Sequence, residues 1–279
     1  MVVLTVLLFS KCASDEGVRP SDDSAITGRG LISGGTGVAV NLTGLSTQNE
    51  LVFLAVNSHG VTETGLLPIV GLRAGEVIIA IDKTKELYGL SNQNAIYKIN
   101  TFNGQARPLG GNFTPAITGA LIGFDVSPSD NVIRVETANE NLRISSTTGQ
   151  VIGTDPVWHI TGLSLNGIAY LPGVAGSKAT VYGIDIAGQK LYKQAPAGTG
   201  AVVLVGSTNF NWRLEGGFDI ASNGVGYTVQ YGHGFSSGGS GIGSDDVTQD
   251  NYRLHSVDLK SGAAKSIGVV RPMLGLTVQ

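Results

Sequence analysis

A repeated pattern of short strands and tight turns constrains this chain more than any other feature of its sequence. The clearest copy is residues 87–104 (LYGLSNQNAIYKINTFNG), where two alternating stretches flank a Ser-Asn-Gln-Asn turn and an Asn-Gly turn follows. This pattern is typical of a β-hairpin that leads into a second turn. Residues 42–60 repeat it with one insertion, and shorter copies occupy residues 141–149, 190–198 and 253–262.

A second element recurs with the first, at a period of roughly 45 residues. It consists of a small residue, an apolar residue and usually an aspartate, and each copy follows a loop. Its five copies are Ala80-Ile81-Asp82, Gly123-Phe124-Asp125, Gly167-Ile168-Ala169, Gly217-Phe218-Asp219 and Gly275-Leu276-Thr277. We interpret it as the first strand, A, of a four-stranded unit whose strands B and C form the hairpin and whose strand D is a short apolar segment.

The two ends of the chain complement each other. The first unit has strand B (about residues 38–42), strand C (about 51–56) and strand D (within 65–70) but no strand A, whereas the chain stops after a lone strand A at residues 274–279. Pairing them completes one unit. The sequence therefore predicts a five-bladed β-propeller over residues 37–279, with four-stranded blades and a C-terminal strand that closes the N-terminal blade.

Composition agrees with an all-β fold and excludes some partners. Glycine accounts for 41 of 279 residues, charged residues for 14%, and helical spacing of apolar residues is missing. A net charge of −3 without a basic block argues against nucleic acid as a partner. Because Cys12 is the only cysteine, neither an intramolecular disulfide nor a cysteine-based metal site can form.

The first 36 residues differ from the repeats. Residues 1–9 are apolar and too short to span a membrane, Cys12 follows, and residues 13–36 are polar and rich in glycine and serine. The arrangement resembles a bacterial lipoprotein signal, which implies a signal peptide at 1–12, lipidation of Cys12, a flexible tether at 13–36 and a location at the cell envelope. The alternative is an irregular N-terminus in which the cysteine occurs by chance.

Strands alternate in direction within a blade, so the D–A and B–C connections share one end of the propeller, which we call the loop face. Its predicted B–C turns carry amides, including Asn94 and Asn141, and residues 232–250 form its longest connection. Its D–A loops carry Trp158-His159 and Trp212-Arg213. Exposed aromatic rings flanked by amides suit a glycan or a peptide ligand, although packing between blades is an equal use for a tryptophan.

The strand motifs also carry a family resemblance. The chain has Gly123-Phe124-Asp125, then Ile-Arg-Val at 133–135, then Asn-Leu-Arg at 141–143 and Thr-Gly at 148–149. In this order they resemble the bacterial family of domains of unknown function numbered 4394, over about residues 38–278. The resemblance implies an extracytoplasmic propeller-like fold and supplies no catalytic residues.

Asp82, Asp125 and Asp219 share one column of the repeat, so they should approach one another near the central channel. Convergent carboxylates could bind Ca²⁺ or hydrolyse a glycosidic bond. They could equally accept backbone N–H groups or pair with a neighbouring arginine, here Arg134 for Asp125. Because Ala169 and Thr277 interrupt the column, we favour the structural role.

Other candidate chemistry is sparse. Glu136 and Glu215 are the remaining acids near strand ends, His255 is expected on a strand surface, and the familiar nucleophile, zinc and phosphate-loop motifs are missing. We expect a monomeric, non-catalytic binding or scaffold protein without cofactor or metal. A glycoside hydrolase that uses the channel carboxylates is the alternative, and Ca²⁺ is the one metal that the column could suit.

Lipidation can be tested directly. Metabolic labelling with a fatty-acid analogue should mark the wild-type protein and leave Cys12→Ser unlabelled, because a thioether-linked diacylglyceryl group needs the sulfur. Label on both proteins, or on neither, would exclude lipidation of Cys12.

Overall fold

A computed structural model describes residues 39–119, 122–173, 179–214, 216–233 and 251–279. The predicted signal peptide with Cys12, the predicted tether, Glu215 and residues 234–250 of the long connection lie outside this part of the chain. Regular structure in the described part consists of twenty-one strands. No helix in these ranges is long and apolar enough to cross a membrane.

The strands form five sheets, one for each blade. Blade one contains β1 (Val40–Ser46), β2 (Glu50–Asn57) and β3 (Gly60–Pro68). Blade two contains β4 (Ile78–Lys83), β5 (Leu87–Ser91), β6 (Ile96–Ile99) and β7 (Ala106–Pro108). Blade three contains β8 (Gly123–Val126), β9 (Val132–Glu136), β10 (Asn141–Ser145) and β11 (Val151–Thr154).

Blade four contains β12 (Leu165–Tyr170), β13 (Val181–Asp185), β14 (Lys190–Gln194) and β15 (Val203–Ser207). Blade five contains β16 (Asn211–Leu214), β17 (Phe218–Ile220), β18 (Val225–His233), β19 (Asn251–Asp258) and β20 (Ala264–Val269). The last strand, β21 (Met273–Val278), returns to blade one. The inner strands contact one another in the cyclic order β21, β4, β8, β12, β17 and back to β21. The five-bladed prediction is confirmed.

Closure occurs as the incomplete end units predict. Strand β21 pairs antiparallel with β1, with Leu276 opposite Gly44 and Thr277 opposite Thr43. Strand β1 reaches Ser46, four residues beyond the predicted end of strand B, because Gly44 and Leu45 pair with β2 on one side and with β21 on the other. The propeller is thus closed by two segments from opposite ends of the sequence.

Blade five departs from the simple pattern because its inner strand is divided. Both β16 and β17 pair with the long strand β18, β16 opposite residues 231–233 and β17 opposite residues 226–228. Trp212 and Arg213 therefore lie in a strand and not in the D–A loop that the sequence predicts. The pairing with β18 explains the difference, since it extends the sheet into that segment.

The core lies between the blades, and it explains why the strands are apolar on both faces. All five residues of β5 are buried. Side chains from blades two and three pack together, and so do those from blades five and one across the closure. His255 is only 3% exposed and contacts the Phe210 ring edge-on, with 4.5 Å between ring centroids. The expectation of a surface histidine is wrong, because Phe210, from the loop between β15 and β16, packs against this residue of β19.

The small residue of the repeated motif lets adjacent inner strands approach closely. A Cβ atom added to Gly123 would lie 2.7 Å from Cγ2 of Ile168 in the next blade. At Gly167, which has a φ of 105°, an added Cβ would lie 2.8 Å from Cβ of Phe218. Such distances leave no room for a larger side chain. Packing around the channel accounts for the first position of the motif.

Closure should dominate stability. Deleting residues 275–279 removes the buried Leu276 and Thr277 with their strand, and we expect unfolding to become easier by more than about 4 kcal/mol. Leu276→Ala in the full chain should cost about 2–5 kcal/mol because it leaves a cavity. Val203→Ala, at a side chain that is 59% exposed, serves as the control in the same thermal melts. An unchanged melting temperature for the deletion would contradict closure by β21.

Candidate functional site

The channel carboxylates connect the inner strands of successive blades. Asp82 of β4 accepts the backbone N–H of Val126 in β8, with 2.8 Å between N and Oδ2. Asp125 of β8 accepts the N–H of Tyr170 in β12. Asp219 of β17 accepts the N–H of Val278 in β21, with 2.6 Å between N and Oδ2.

Thr277 completes this set in blade one, where the column lacks an aspartate. Its Oγ1 accepts the N–H of Lys83 at 3.1 Å. The same oxygen lies 2.8 Å from Asp82 Oδ1 and 3.1 Å from Asp219 Oδ2, so its proton can bond either carboxylate. Ala169 has no side-chain acceptor for the next blade. The N–H that it would have accepted, that of Ile220, donates instead to Oδ1 of Asp219, with 2.6 Å between N and Oδ1. Four of the five column positions thus bond the next blade.

Burial and mutual repulsion perturb two of these acids, Asp125 and Asp219. Asp82 and Asp125 are 3% and 4% exposed. Burial raises the pKa of Asp125 well above its ordinary value, and the nearby charges of Asp82 and Asp219 raise it further. The pKa of Asp219 is also raised well above its ordinary value, first by burial and then by Asp82, against the lowering effect of its backbone partners. The folded cluster therefore retains protons that separated aspartates would lose.

This geometry favours a structural role for the cluster. Each aspartate already accepts a backbone N–H, and Asp82 and Asp125 present almost no surface to a substrate. Within the described ranges, no group of three or more His, Cys, Asp or Glu side chains has an arrangement that could hold a metal ion. The suggested pairing of Arg134 with Asp125 does not occur, although their backbones are opposite in the sheet.

Arg134 instead joins a buried polar cluster between blades three and four. Its Nε donates to the Tyr170 hydroxyl at 2.8 Å, its Nη2 to Asp155 at 2.8 Å, and its Nη1 to Oδ1 of Asn141. Asn141 Nδ2 donates in turn to Glu136 Oε1 at 3.0 Å. Tyr170 thus contacts Asp125 through its backbone and Arg134 through its ring, which connects this cluster to the channel.

Glu136 is fully buried in that cluster. Burial raises its pKa to about 8, against the lowering influence of Arg134. The nearby Trp158 indole N–H also lowers that pKa, although neither this N–H nor Oε2 of Glu136 has a hydrogen-bond partner among the described residues. Glu136 is therefore largely protonated at neutral pH and has no surface on which to meet a ligand.

The residues predicted to bind a ligand do not form one exposed set. Trp158 is 3% exposed and packs against Gly183 and Leu165, so its ring is part of the core of blade four. His159 is exposed, and its backbone N–H donates to the Gly200 carbonyl at 2.9 Å. Trp212 and Arg213 lie in β16, and their side chains are outside the described part of the chain.

The turn amides hold the blade connections in place. Asn49 and Asn94 have positive φ angles of 62° and 61°, which asparagine tolerates better than most residues. Asn49 Oδ1 accepts the N–H of Ile78 at 2.9 Å, and Asn94 Oδ1 accepts that of Ile117 at 3.0 Å. Glu140 does the same in blade three by accepting the N–H of Thr118 at 3.1 Å. The position that these residues share in the B–C turn is the sequence feature from which this role could have been predicted.

A groove at the end opposite the loop face was not predicted. It has a volume of about 870 Å³ and lies along blades one and two, between the A–B turn of residues 84–86 and the C–D turn of residues 100–104. We call it the basic groove, because its charged lining residues are Lys83, Lys85, Lys98, Arg107 and Glu86. Phe102 stands at its edge with 94% of its surface exposed. The lysine-rich A–B turn was the one signal for it in the sequence.

A second groove lies between blades four and five at the same end. Its volume is about 680 Å³, and Asp258, Lys260 and Lys265 are among its lining residues. The pKa of the exposed Asp258 is lowered by N–H bonds from Lys260 and Ser261. This groove offers two exposed lysines without an exposed aromatic ring, which makes it a useful comparison.

The family described as "Domain of unknown function (DUF4394)" matches residues 50–277. No curated protein matches the chain. Several solved structures show distant similarity. A protein of unknown function from Bacteroides caccae is 13% identical, with 86% of this chain and 99% of that chain covered and a TM-score of 0.43.

A structural-genomics protein of unknown function from Bacteroides thetaiotaomicron is 14% identical, with 82% of this chain but only 64% of that chain covered and a TM-score of 0.48. Glutaminyl cyclase from Myxococcus xanthus is 12% identical, with 66% of this chain and 79% of that chain covered and a TM-score of 0.46. The family match spans most of the chain, whereas these similarities remain distant.

The perturbed aspartates predict a pH dependence of stability. Because the pKa of Asp125 is higher in the folded protein than its unfolded value of about 3.9, its stabilising contribution is complete below that pH and is lost as pH rises through the folded pKa. Asp125→Asn can still accept the Tyr170 N–H and carries no charge. Its free energy of unfolding relative to wild type should therefore increase between pH 4 and pH 9.

Asp258→Asn is the control, measured by denaturant melts across the same pH series. The pKa of Asp258 is lowered, so its contribution is present above its unfolded pKa and is lost only as pH falls through the folded pKa, below this series. The free energy of unfolding of Asp258→Asn relative to wild type should therefore stay nearly constant between pH 4 and pH 9. Glu136 adds a component with the sign of Asp125, so the slope should be reduced in Asp125→Asn and not abolished. A wild-type profile for Asp125→Asn would mean that Asp125 is ionised in the folded protein.

Proposed function

This chain belongs to the DUF4394 family of domains of unknown function, and we propose that it is a non-catalytic binding or scaffold protein of the bacterial cell envelope. One observation carries the proposal: the carboxylates that could have formed an active site bond the backbone of neighbouring blades. Groups engaged in this way stabilise the ring and are poorly placed to attack a substrate. A rigid ring with varied surface loops suits binding.

The proposed ligand is a glycan or a peptide, bound by one monomeric propeller. Two regions could provide the surface: the loop face with His159, Trp212 and Arg213, and the basic groove with Phe102. Each combines an aromatic residue with polar or charged neighbours, which is the usual composition of a binding site. Attachment through a lipidated Cys12, with residues 13–36 as spacer, belongs to the same proposal and is supported by the apolar run that precedes the cysteine.

A glycoside hydrolase is the second candidate, because Asp125, Asp219 and Glu136 have raised pKa values of the kind that a general acid needs. Hydrolysis also requires two carboxyl groups on either side of a bound sugar ring. Asp125 and Glu136 are 4% and 0% exposed, so a sugar could reach them only if blades separated. Burial therefore argues for the framework role over the catalytic one.

Screening on glycan and peptide arrays tests the proposal. The purified protein should retain at least one ligand class and release no product from it over extended incubation. Trp212→Ala should weaken binding by about 1–3 kcal/mol if the loop face is the site, as expected for an aromatic hot spot. Its melting curve, compared with that of wild type, shows whether the change acts through binding or through folding.

Turnover of a glycan that Asp125→Asn or Asp219→Asn abolishes, with folding preserved, would replace the binding proposal by the hydrolase. Failure to retain any glycan or peptide would also contradict binding of these classes.

A further inference from the structure

The basic groove has an excess of positive charge in a chain whose net charge is −3. Four of its lining residues are basic and one is acidic. Glu86 pairs with Lys98 at 2.7 Å. No described carboxylate lies within ion-pairing distance of Lys83, Lys85 or Arg107. Three cations on one concave surface attract anions, and the attraction weakens with salt.

Phe102 gives the groove an aromatic side chain that extends from a backbone turn of defined conformation. Its N–H donates to Oδ1 of Asn100 at 2.8 Å, and the N–H of Gly104 donates to the Asn100 carbonyl at 2.8 Å. Gly104 has a φ of 70°, and an added Cβ would lie 2.0 Å from the Pro68 carbonyl oxygen. A turn fixed in this way presents the ring to solvent, and binding need not order its backbone further.

The backbone beside the groove argues against an added peptide strand. The outer edge of β7 is already used by Val70, whose N–H donates to the Gly104 carbonyl at 3.0 Å and whose carbonyl accepts the Ala106 N–H at 2.8 Å. A peptide that binds by strand addition needs these groups free. Recognition must therefore use side chains, namely cations and a ring face.

We propose that the basic groove binds an acidic oligosaccharide, with Phe102 stacked on a sugar ring and Lys83, Lys85 and Arg107 bonding its carboxylate or sulfate groups. A sugar ring has one apolar face that suits an aromatic side chain, and its charged substituents suit the three cations. The proposal rests on the binding function above and specifies a site and a ligand class for it.

Titration calorimetry with tetragalacturonate and with neutral maltotetraose tests this assignment. Tetragalacturonate should bind, its affinity should fall as salt rises, and maltotetraose should bind at least about 10-fold more weakly. Phe102→Ala should weaken tetragalacturonate binding at least about 5-fold, and its melting curve should match wild type because the ring is 94% exposed. The double variant Lys83→Ala/Lys85→Ala should weaken binding roughly 2- to 30-fold and reduce the salt dependence.

The matched control is Lys260→Ala/Lys265→Ala, which removes the same charge from the second groove and should leave the affinity unchanged. Equal losses in the two double variants would overturn the assignment, and so would equal affinity for maltotetraose. Tighter binding of an oligoglutamate, lost in Phe102→Ala, would assign the groove to acidic peptides instead. If a neutral glycan or a peptide binds and no groove variant affects that binding, the groove is not the site, but the proposed binding function stands. Cleavage of tetragalacturonate would instead contradict the non-catalytic function.

Discussion

The structure depends on the close contact between successive inner strands around the channel. A small residue in each strand lets the next strand approach, an apolar residue fills the space beyond it, and an aspartate or threonine accepts a backbone N–H across the boundary. Inner strands of a propeller have few ladder partners on their channel side. A side chain that satisfies one of these N–H groups therefore removes the cost of leaving a polar group unbonded in a buried place.

The same contact explains why the carboxylates lie together. Four of the five blades use the same position to bond their neighbour, so a column of acids in the sequence becomes a cluster in the channel. Burial raises the pKa values of Asp125 and Asp219, and the repulsion between the clustered charges raises them further. Thr277 and Ala169 reduce the repulsion because neither side chain is charged. Thr277 still accepts an N–H of the next blade, whereas the N–H that faces Ala169, that of Ile220, bonds Asp219 instead. Convergent acids with raised pKa values can thus result from symmetry and packing without catalysis.

The surface is where the blades are free to differ. Turn positions that look alike in sequence, such as those of Asn49 and Asn94, hold blade connections, and the residues beyond them vary. The A–B and C–D turns of blade two place lysines and an exposed phenylalanine around one groove. The C–D hairpin of blade five places Asp258 and two lysines around another. One framework can therefore present different recognition surfaces on different blades.

The sequence by itself determined the blades, their order, the closing strand and the column of acids, because these follow from a pattern that repeats locally along the chain. Only the tertiary structure decided which side chains are covered. Trp158 and His255 are buried by residues distant in sequence, and Arg134 bonds Asp155 and Tyr170 in place of its strand neighbour Asp125. Phe102 and Arg107 meet Lys83 and Lys85 only after two hairpins fold side by side. Strand alternation specifies the face of a sheet on which a residue lies, but the distance to the next blade and the direction of long side chains specify what that residue contacts.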